Sequence, residues 1–553
     1  MRSNRKHLLQ TLLLYSPVII GWILMIPRLL SPQFGFFDDA TTITTSENIL
    51  NGSWSLADEA YHGRFRPVYW IYYAIIYGLA GQNPFWFFMG NAFLLSLITL
   101  GLIRIARALG QNRIQAWITG SAFVLAGTTL ENIYTLSKPE LQQALWLCLS
   151  LLTIGLHTQA TTRWKKTLSF ALTSISIFLA CSSKETSLVM LAIAFVWFFA
   201  VWVLKLLKKP LNDGALSTRR AYLFASLLGV ITFLALRWGN LPAGLIESGY
   251  PSRFDFSLAR IIENTRIWLD LLMRDYLYLV PLALPPVLWW LLRREFQMLH
   301  RFFEVGVWAL AWMMIYLPWQ FTQEYYLLPF ALAAATFTGL LLGGNLALLQ
   351  QKMVPWRILS GIGLAFASVF FLLTIPSNAT KARAQLAIDA ANDEMLNHVL
   401  ENAPQNSVVL INIQDPNEYV GNFITLVQDI GGRSDLIVDY FQFQDPVLEG
   451  WESKVITIVS PIVENQFYPS MRMGIFEMPS RNWNQSLLDY LGNQGVLVFQ
   501  TKYAFRSSLL DTPRAFCFAV PSLNYCQKPH SPLDNRVFGY GWDIYRLEPP
   551  QDG

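Results

Sequence analysis

PVYWIYYAIIYGLA, residues Pro67–Ala80, is the stretch on which the architecture turns. It is 14 residues long, rich in Tyr and Trp, and bounded by Arg66 and Gly81. A helix needs roughly 20 apolar residues to cross a bilayer, so this one is short for a span. If it spans, every later helix reverses direction; if it lies flat in the interface, none does. Short aromatic segments suit the interface, and the charges of the surrounding loops decide the point.

Outward from it the chain carries about eleven longer apolar runs, at 8–30, 84–105, 114–130, 141–156, 167–182, 188–207, 222–238, 271–292, 302–319, 327–349 and 358–375. With Pro67–Ala80 interfacial, the short loops on one side hold Arg2, Arg5, Lys6, Arg104, Arg107, Arg113, Arg163, Lys165, Lys166, Lys205, Lys208, Lys209, Arg219, Arg220, Arg293, Arg294, Arg301, Lys352 and Arg357. The longer loops of the other side carry only about 10 basic residues. Lys and Arg concentrate in cytoplasmic loops, so the N-terminus is placed inside and the C-terminus outside. The run at 8–30 is too long for a signal peptide and lacks a small-residue cleavage site, so it reads as a signal anchor. The expected fold is a polytopic α-helical membrane protein of about 11 transmembrane helices with a C-terminal extracytoplasmic α/β domain.

Composition agrees. Of 553 residues, 53% are hydrophobic and only 14% charged, little more than half the charged share of a soluble protein. The 37 Phe, 22 Tyr and 20 Trp suit lipid interfaces. A net charge of +4 without a basic run gives no reason to expect a nucleic-acid partner. Four cysteines exclude a Cys-based metal cluster. Cys148 and Cys181 lie in apolar runs and read as inert. Cys517 and Cys526 can pair in an oxidising compartment, closing a loop worth roughly 2–3 kcal/mol.

The expected membrane module is residues 1–375, with a first external loop at about 31–83, and the tail 376–553 is the outer α/β domain. The tail shows apolar residues at helical spacing (Ile388, Ala391, Met395, Val399) and then β-branched runs at 408–413, 436–440, 455–459 and 496–499. Trp451, Trp483 and Trp542 are candidate sugar-stacking residues, with core packing the plainer alternative. Three Asn-x-Ser/Thr triplets (Asn51, Asn378, Asn484) fall on the outer side under this topology.

The sharpest chemical feature is Phe36-Phe37-Asp38-Asp39-Ala40, directly after the first run. Two adjacent carboxylates at a membrane surface are costly unless something uses them. One can act as a general base toward an acceptor hydroxyl, and the other can hold the acceptor or a divalent cation; the plainer alternative is a cap on the helix beginning near Ala40. Further along, His62-Gly63-Arg64-Phe65-Arg66-Pro67 places two guanidiniums at headgroup depth, where they suit a phosphate or anchor the following helix. Ser137-Lys138-Pro139-Glu140, with Glu131 upstream, Ser183-Lys184-Glu185-Thr186, and Gln323-Glu324-Tyr325-Tyr326 open later runs on the same side. Each reads as an ion pair at a helix start, and their recurrence beside Asp38-Asp39 points to one shared polar cavity. No Gly-rich phosphate loop, His-Glu-x-x-His or Gly-x-Ser-x-Gly is present, so no nucleotide or organic cofactor is expected, and a phosphate-linked donor would arrive through the lipid.

These residues resemble the GT-C class of integral membrane glycosyltransferases. Phe37-Asp38-Asp39-Ala40 is similar to the class's acidic pair in a long first external loop, Arg66-Pro67-Val68-Tyr69-Trp70 to an Arg-Pro-aromatic opening of an interfacial helix, and Gly81-Gln82-Asn83-Pro84 to a turn into the second span. Ser183–Thr186 resembles a Lys-Glu of the O-mannosyltransferase branch, and Glu324-Tyr325-Tyr326-Leu327-Leu328-Pro329 the aromatic-Leu-Pro start of a late span. The resemblance covers about residues 1–375 and none of the tail. It implies transfer, usually inverting, from a polyprenyl-phosphate-linked sugar to an acceptor hydroxyl on a glycan, lipid or protein, most nearly as in enzymes of bacterial envelope glycans in the plasma membrane. Asp38 would be the base, Asp39 secondary; Arg64, Arg66, Lys138 and Lys184 would be candidates for the leaving phosphate, and Glu131, Glu140, Glu185, Glu324 and Tyr325 further site candidates. A divalent cation stays open, with Asp38, Asp39 and Glu131 or Glu185 as its ligands. Competing readings are a transporter or flippase of lipid-linked sugars, a polymerase or ligase of such glycans, and a non-catalytic scaffold.

Overall fold

The structure, a computed structural model, describes residues 2–35, 38–61, 64–208, 214–241, 254–319, 323–411, 421–440, 454–463, 498–504, 516–520, 523–527 and 540–547. Its helices are α1 (Arg2–Leu30), α2 (Asp39–Leu50), α3 (Leu56–Tyr61), α4 (Pro67–Ala80), α5 (Pro84–Ala108), α6 (Arg113–Val124), α7 (Gly127–Tyr134), α8 (Glu140–Gln159), α9 (Arg163–Ser183), α10 (Val189–Leu206), α11 (Ala215–Gly239), α12 (Leu258–Asp275), α13 (Leu279–Arg293), α14 (Phe296–Met314), α15 (Leu328–Leu349) and α16 (Val354–Asn402). One-turn 3₁₀ helices at Glu185–Leu188 and Glu324–Leu327 lead into α10 and α15.

Among the described residues eight helices are long and apolar enough to cross a membrane, in α1, α5, α8, α9, α10, α11, α15 and α16. Helices α12 and α13 make a ninth if they count as one span bent by 89°. The chain is a polytopic helical membrane protein, and many of its largest apolar side chains stand exposed on the bundle, including Leu79, Phe93, Phe195 and Leu373, as a lipid-facing surface requires. Three of the eleven expected runs differ in form. The run at 114–130 is broken into α6 and α7, because Ala126 takes extended backbone (φ −66, ψ 140). The run at 271–292 straddles the bend between α12 and α13. The run at 302–319 is largely α14, whose first turns carry His300, Arg301 and Glu304.

Pro67–Ala80 is a single 14-residue helix with Pro67 in its first turn and Gly81, at φ 64, as its stop. Tyr69, Trp70 and Tyr73 are buried on one face while Ile71, Ile75 and Leu79 are exposed on the other. That two-faced pattern fits an interfacial helix, one face on protein and the other toward lipid.

Helix α16 runs unbroken through the expected 375/376 boundary, with Pro376 inside it. Its 49 residues extend about 70 Å, more than twice the hydrocarbon thickness, so the span and the tail's first helix are one rod. Ile388, Ala391, Met395 and Val399 are buried against β1 (Val408–Ile411), β2 (Ile437–Tyr440) and β3 (Ile456–Val463). With β4 (Val498–Ala504) and β7 (Tyr540–Leu547) these form a five-stranded sheet of order β2-β1-β3-β7-β4, parallel across β2-β1-β3 and antiparallel at β7. All four residues of β1 are buried, the continuous apolar signature of a central parallel strand. The β-branched runs expected in the tail are thus β1–β4, in an α/β arrangement. A hairpin of β5 (Phe516–Val520) and β6 (Leu523–Gln527) sets Cys517 opposite Cys526 in antiparallel register.

Candidate functional site

Contacts between distant residues gather several helix ends into one polar layer. The end of α1, the start of α2, the turn before α8, the α9–α10 junction, the turn before α15 and the middle of α16 all meet there, and the layer is assembled from four linked groups.

The first is the acidic turn. Asp38 sits at φ 62, ψ −15, a left-handed conformation that few residues other than Gly adopt and that Asp and Asn tolerate best. Its carbonyl accepts from the Thr42 amide (3.0 Å) and hydroxyl (3.1 Å), which starts α2. Its carboxylate makes no capping hydrogen bond, so the cap alternative does not describe this side chain. Asp39 is buried: Oδ2 accepts from the Gly35 amide at 2.6 Å and Oδ1 from the Ser137 hydroxyl at 2.7 Å. Burial pushes the Asp39 carboxyl up to about 7, against the lowering effect of the Ser137 and Gly35 hydrogen bonds. Thr42 Oγ1 lies 2.7 Å from Ser137 Oγ and 3.4 Å from Tyr69 Oη, so the turn is tied to both α4 and the segment before α8.

The second group is a pair of lysines on adjacent tyrosines. The Lys138 ammonium lies 4.2 Å from the centre of the Tyr325 ring, and that of Lys184 lies 4.1 Å from Tyr326. Both lysines are nearly buried, and cation–π contact gains strength as water is removed. Lys184 also ion-pairs with the fully buried Glu140. Tyr326 stacks on Tyr316, centroids 4.9 Å apart.

The third group fixes the start of α4. Glu59 on α3 accepts from the Arg66 amide (2.9 Å) and Trp70 Nε1 (2.6 Å), with Arg66 Nε at 3.7 Å. Burial raises the Glu59 carboxyl, offset in part by Arg66. The Arg66 guanidinium also lies over Tyr69 and Trp70, 5.1 and 5.3 Å from their centroids. Glu185 accepts from the Phe65 amide. Arg64 is half-buried beside these residues, whereas His62 lies outside the described residues.

The fourth is a buried ionic cluster. Lys381 of α16 bonds Glu324 (2.7 and 2.9 Å) and Asp275 (3.0 Å), and Arg274 bonds Glu324 (2.8 Å) and Asp275 (2.7 Å). Glu131 is buried beside it, its carboxyl raised well above the usual range by burial and by the Glu324 charge. Gly127 admits this packing: a Cβ there would come 2.6 Å from Glu324 Oε1 and from Lys381 Nζ.

The eleven residues singled out from sequence therefore lie in these groups, but sequence reasoning left out Arg28, Glu59, Ser137 as a ligand of Asp39, Arg274, Asp275, Lys381 and Asp389. A usable signal existed for two of them: Lys381 and Asp389 sit eight residues apart on one helix, a spacing that keeps both on one broad polar side. Among the described residues no group of three or more His, Cys, Asp or Glu side chains converges on a cation position. Glu131 lies buried beside the Glu324 cluster and Glu185 accepts from the Phe65 amide. Of the triplet asparagines, Asn378 is buried and its amide donates to the Leu125 carbonyl at 2.8 Å, while Asn51 caps α2 exposed. Asn484, Trp451 and Trp483 lie outside the described residues, and Trp542 falls on β7.

No family profile matches the chain and no curated protein matches it. Among solved structures it is similar to ArnT from Cupriavidus metallidurans bound to undecaprenyl phosphate, at 12% identity and a TM-score of 0.48, over 80% of this chain and 92% of that one. It is also similar to the archaeal oligosaccharyltransferase AglB from Archaeoglobus fulgidus, in complex with an inhibitory peptide and a dolichol-phosphate (13% identity, TM-score 0.47, 80% of this chain and 69% of that one). A third likeness is to the arabinofuranosyltransferase AftD from Mycobacteria, at 13% identity and a TM-score of 0.47, where 98% of this chain corresponds to 40% of that one.

Proposed function

We propose that this chain is a GT-C-type membrane glycosyltransferase that moves a sugar from a polyprenyl-phosphate donor to an acceptor hydroxyl, with inversion, at the outer face of a bacterial plasma membrane. One observation carries the reading: at a single bundle end, a carboxylate free of capping duty stands on a turn fixed by its buried neighbour, beside two ammoniums presented on tyrosine faces. The exposed basic residues Arg104, Lys165, Lys166, Arg293, Arg294, Lys352 and Arg357 lie at helix ends and turns of the opposite end, which supports placing the Asp38 end outside.

In the reaction Asp38 removes the proton of the acceptor hydroxyl, and the oxygen attacks the anomeric carbon from the face opposite the phosphate. The anomeric C–O bond breaks, its electron pair leaves on the polyprenyl phosphate, and the growing charge is met by Lys138 and Lys184, with Arg64 and Arg66 at the mouth of α4. Asp39 shapes the turn through Gly35 and Ser137. The ionic cluster on Glu324 fixes the Tyr325–Tyr326 platform from behind.

The test is transfer of radiolabelled sugar from polyprenyl-phosphate donors to a membrane extract, wild type against Asp38→Asn, with expression and thermal stability measured on both. Asn is nearly isosteric and tolerates the same left-handed backbone. Transfer should fall about 10²–10⁴-fold in a folded variant. Equal transfer by both proteins removes Asp38 from the base role. Absence of transfer in a wild type that binds lipid-linked sugar favours a transporter.

A further inference from the structure

The ion pair between Arg28 and Asp389 belongs to none of the four groups. Arg28 closes α1 and is fully buried; its Nη2 donates to Asp389 Oδ2 at 2.6 Å and to the Gln33 carbonyl at 3.1 Å. The guanidinium is seated over the Phe88 ring of α5, 4.0 Å from its centre. Asp389 is held on α16 by the Gln385 amide at 3.1 and 3.0 Å. The backbone between the pair and the acidic turn is therefore gripped at both ends: Gln33 by Arg28, and Gly35 by Asp39. Gly35 sits where the two carboxylates approach it, for a Cβ there would lie 3.1 Å from Asp39 Oδ2 and 3.6 Å from Asp389 Oδ1. The tail holds the other side of the turn as well, since Asn422 Oδ1 accepts from the Thr41 amide (3.0 Å) and hydroxyl (3.2 Å). Ala40 is buried in the same cluster as Ile388, Ala391 and Phe423.

We propose that Arg28 and Asp389 are positioning residues, a clamp through which the outward extension of α16 holds the backbone at Gln33 and Gly35, and with it Asp39, and so sets the place from which Asp38 acts. The C-terminal unit is then part of the active site's framework rather than an appended module. This rests on the reading of Asp38 given above. A buried ion pair that only stabilises can be replaced by apolar residues without loss, whereas removal of one partner strands a charge. The two roles therefore predict different behaviour.

The experiment compares wild type, Asp389→Asn and the double variant Arg28→Leu/Asp389→Leu, full-length in detergent, by thermal unfolding, hydrogen–deuterium exchange at the Gln33–Gly35 amides, and transfer kinetics from a polyprenyl-phosphate sugar. The single variant is expected to lose thermal stability and the double variant to regain it. In both, exchange at Gln33–Gly35 should rise and kcat should fall about 10- to 100-fold, the scale of a misplaced reacting group, with KM for the donor within about 2-fold. A double variant that unfolds like wild type and keeps both its exchange pattern and its kcat overturns the clamp. If wild type itself transfers nothing, the glycosyltransferase reading falls, and the exchange result still decides the clamp: unchanged protection at Gln33–Gly35 refutes it.

Discussion

The two ends of the helical bundle handle charge in opposite ways. At the Asp38 end Arg28, Asp39, Glu131, Glu140, Asp275, Glu324, Lys381 and Asp389 are all buried, and they are joined across elements far apart in sequence. At the other end most basic residues are exposed, and the main buried contact is one clasp. Arg219 bonds Glu304 through Nε and Nη2 at 2.5 and 2.7 Å, with His300 Nε2 3.3 Å from the same carboxylate. Trp197 completes that clasp, donating to the Glu304 carbonyl at 3.0 Å and lying under the guanidinium. A clasp between two helices needs no more than packing to explain it. A layer of buried ionisable groups is expensive to desolvate, and its concentration around one turn is what a reaction that develops charge would use.

The largest expected difference between the ends is in transfer activity. Lys184→Met combined with Glu140→Leu removes the buried pair without stranding either charge, and should lower kcat about 10²- to 10³-fold, the usual scale for losing one preorganised electrostatic partner. Arg219→Met combined with Glu304→Leu is the matched change at the far end and should leave kcat within about 3-fold of wild type. Kinetics on both double variants check the contrast. Equal losses would mean that the bundle responds as a whole and that the Lys184 pair has no special place in catalysis.

Single substitutions sharpen the same comparison through stability. Glu324→Gln leaves Lys381 and Arg274 sharing only Asp275, in a cluster where Lys381 and Asp275 are buried, and should cost about 3–5 kcal/mol. Arg219→Gln breaks one pair and leaves Glu304 facing His300 at 3.3 Å, and should cost less than half as much because no fully buried ammonium such as Lys381 loses a partner. Thermal unfolding in detergent, with lipid-facing substitutions as controls, ranks the two.

The Asp39 carboxyl gives the next effect, with a definite sign. Its folded value of about 7 stands above the ordinary 3.8, so between these values the folded protein binds more protons than the unfolded chain. Stability therefore falls as pH rises from about 4 to 7, by at most roughly 1.4 kcal/mol per pH unit, and the full penalty is present above 7. In Asp39→Asn that slope should disappear, so the wild type loses stability relative to the variant from pH 5 to pH 7.5. Parallel pH profiles for the two proteins would mean that Asp39 stays ionised in the folded state.

Much of this was legible in the sequence, and the parts that were not share a cause. The 14-residue length of Pro67–Ala80 was enough to make α4 interfacial in form, and β-branched runs located β1–β4. Asp38-Asp39, Lys138, Lys184 and Glu324 stood out because charges flanking apolar runs are conspicuous. Their partners did not. Lys381 and Asp389 lie on a segment that reads as the opening helix of a separate domain, and only the unbroken α16 carries them to the site. Arg28 reads as an ordinary flanking charge until Asp389 is placed beside it. The break at Ala126 was hidden for another reason: an apolar run scores the same whether its helix continues or stops, and here α7 restarts at Gly127 with the Glu324–Lys381 cluster packed close against it.

That packing supplies the smallest contrast between the ends. In Gly127→Ala the new methyl group would meet Glu324 Oε1 and Lys381 Nζ at 2.6 Å and Asn378 Oδ1 at 2.8 Å. Neither charged group can retreat without lengthening a buried ion pair, so the change should cost about 1–3 kcal/mol. Gly155, toward the far end of α8, meets nothing within 4 Å. There Ala adds no clash and removes the entropic cost of a helical glycine, and Gly155→Ala should stabilise by about 0.5–1 kcal/mol. Thermal unfolding of the two variants reads the sign directly. A neutral Gly127→Ala would show that the cluster can relax around an added carbon, and the rigidity ascribed to the platform behind Tyr325 and Tyr326 would have to come from elsewhere.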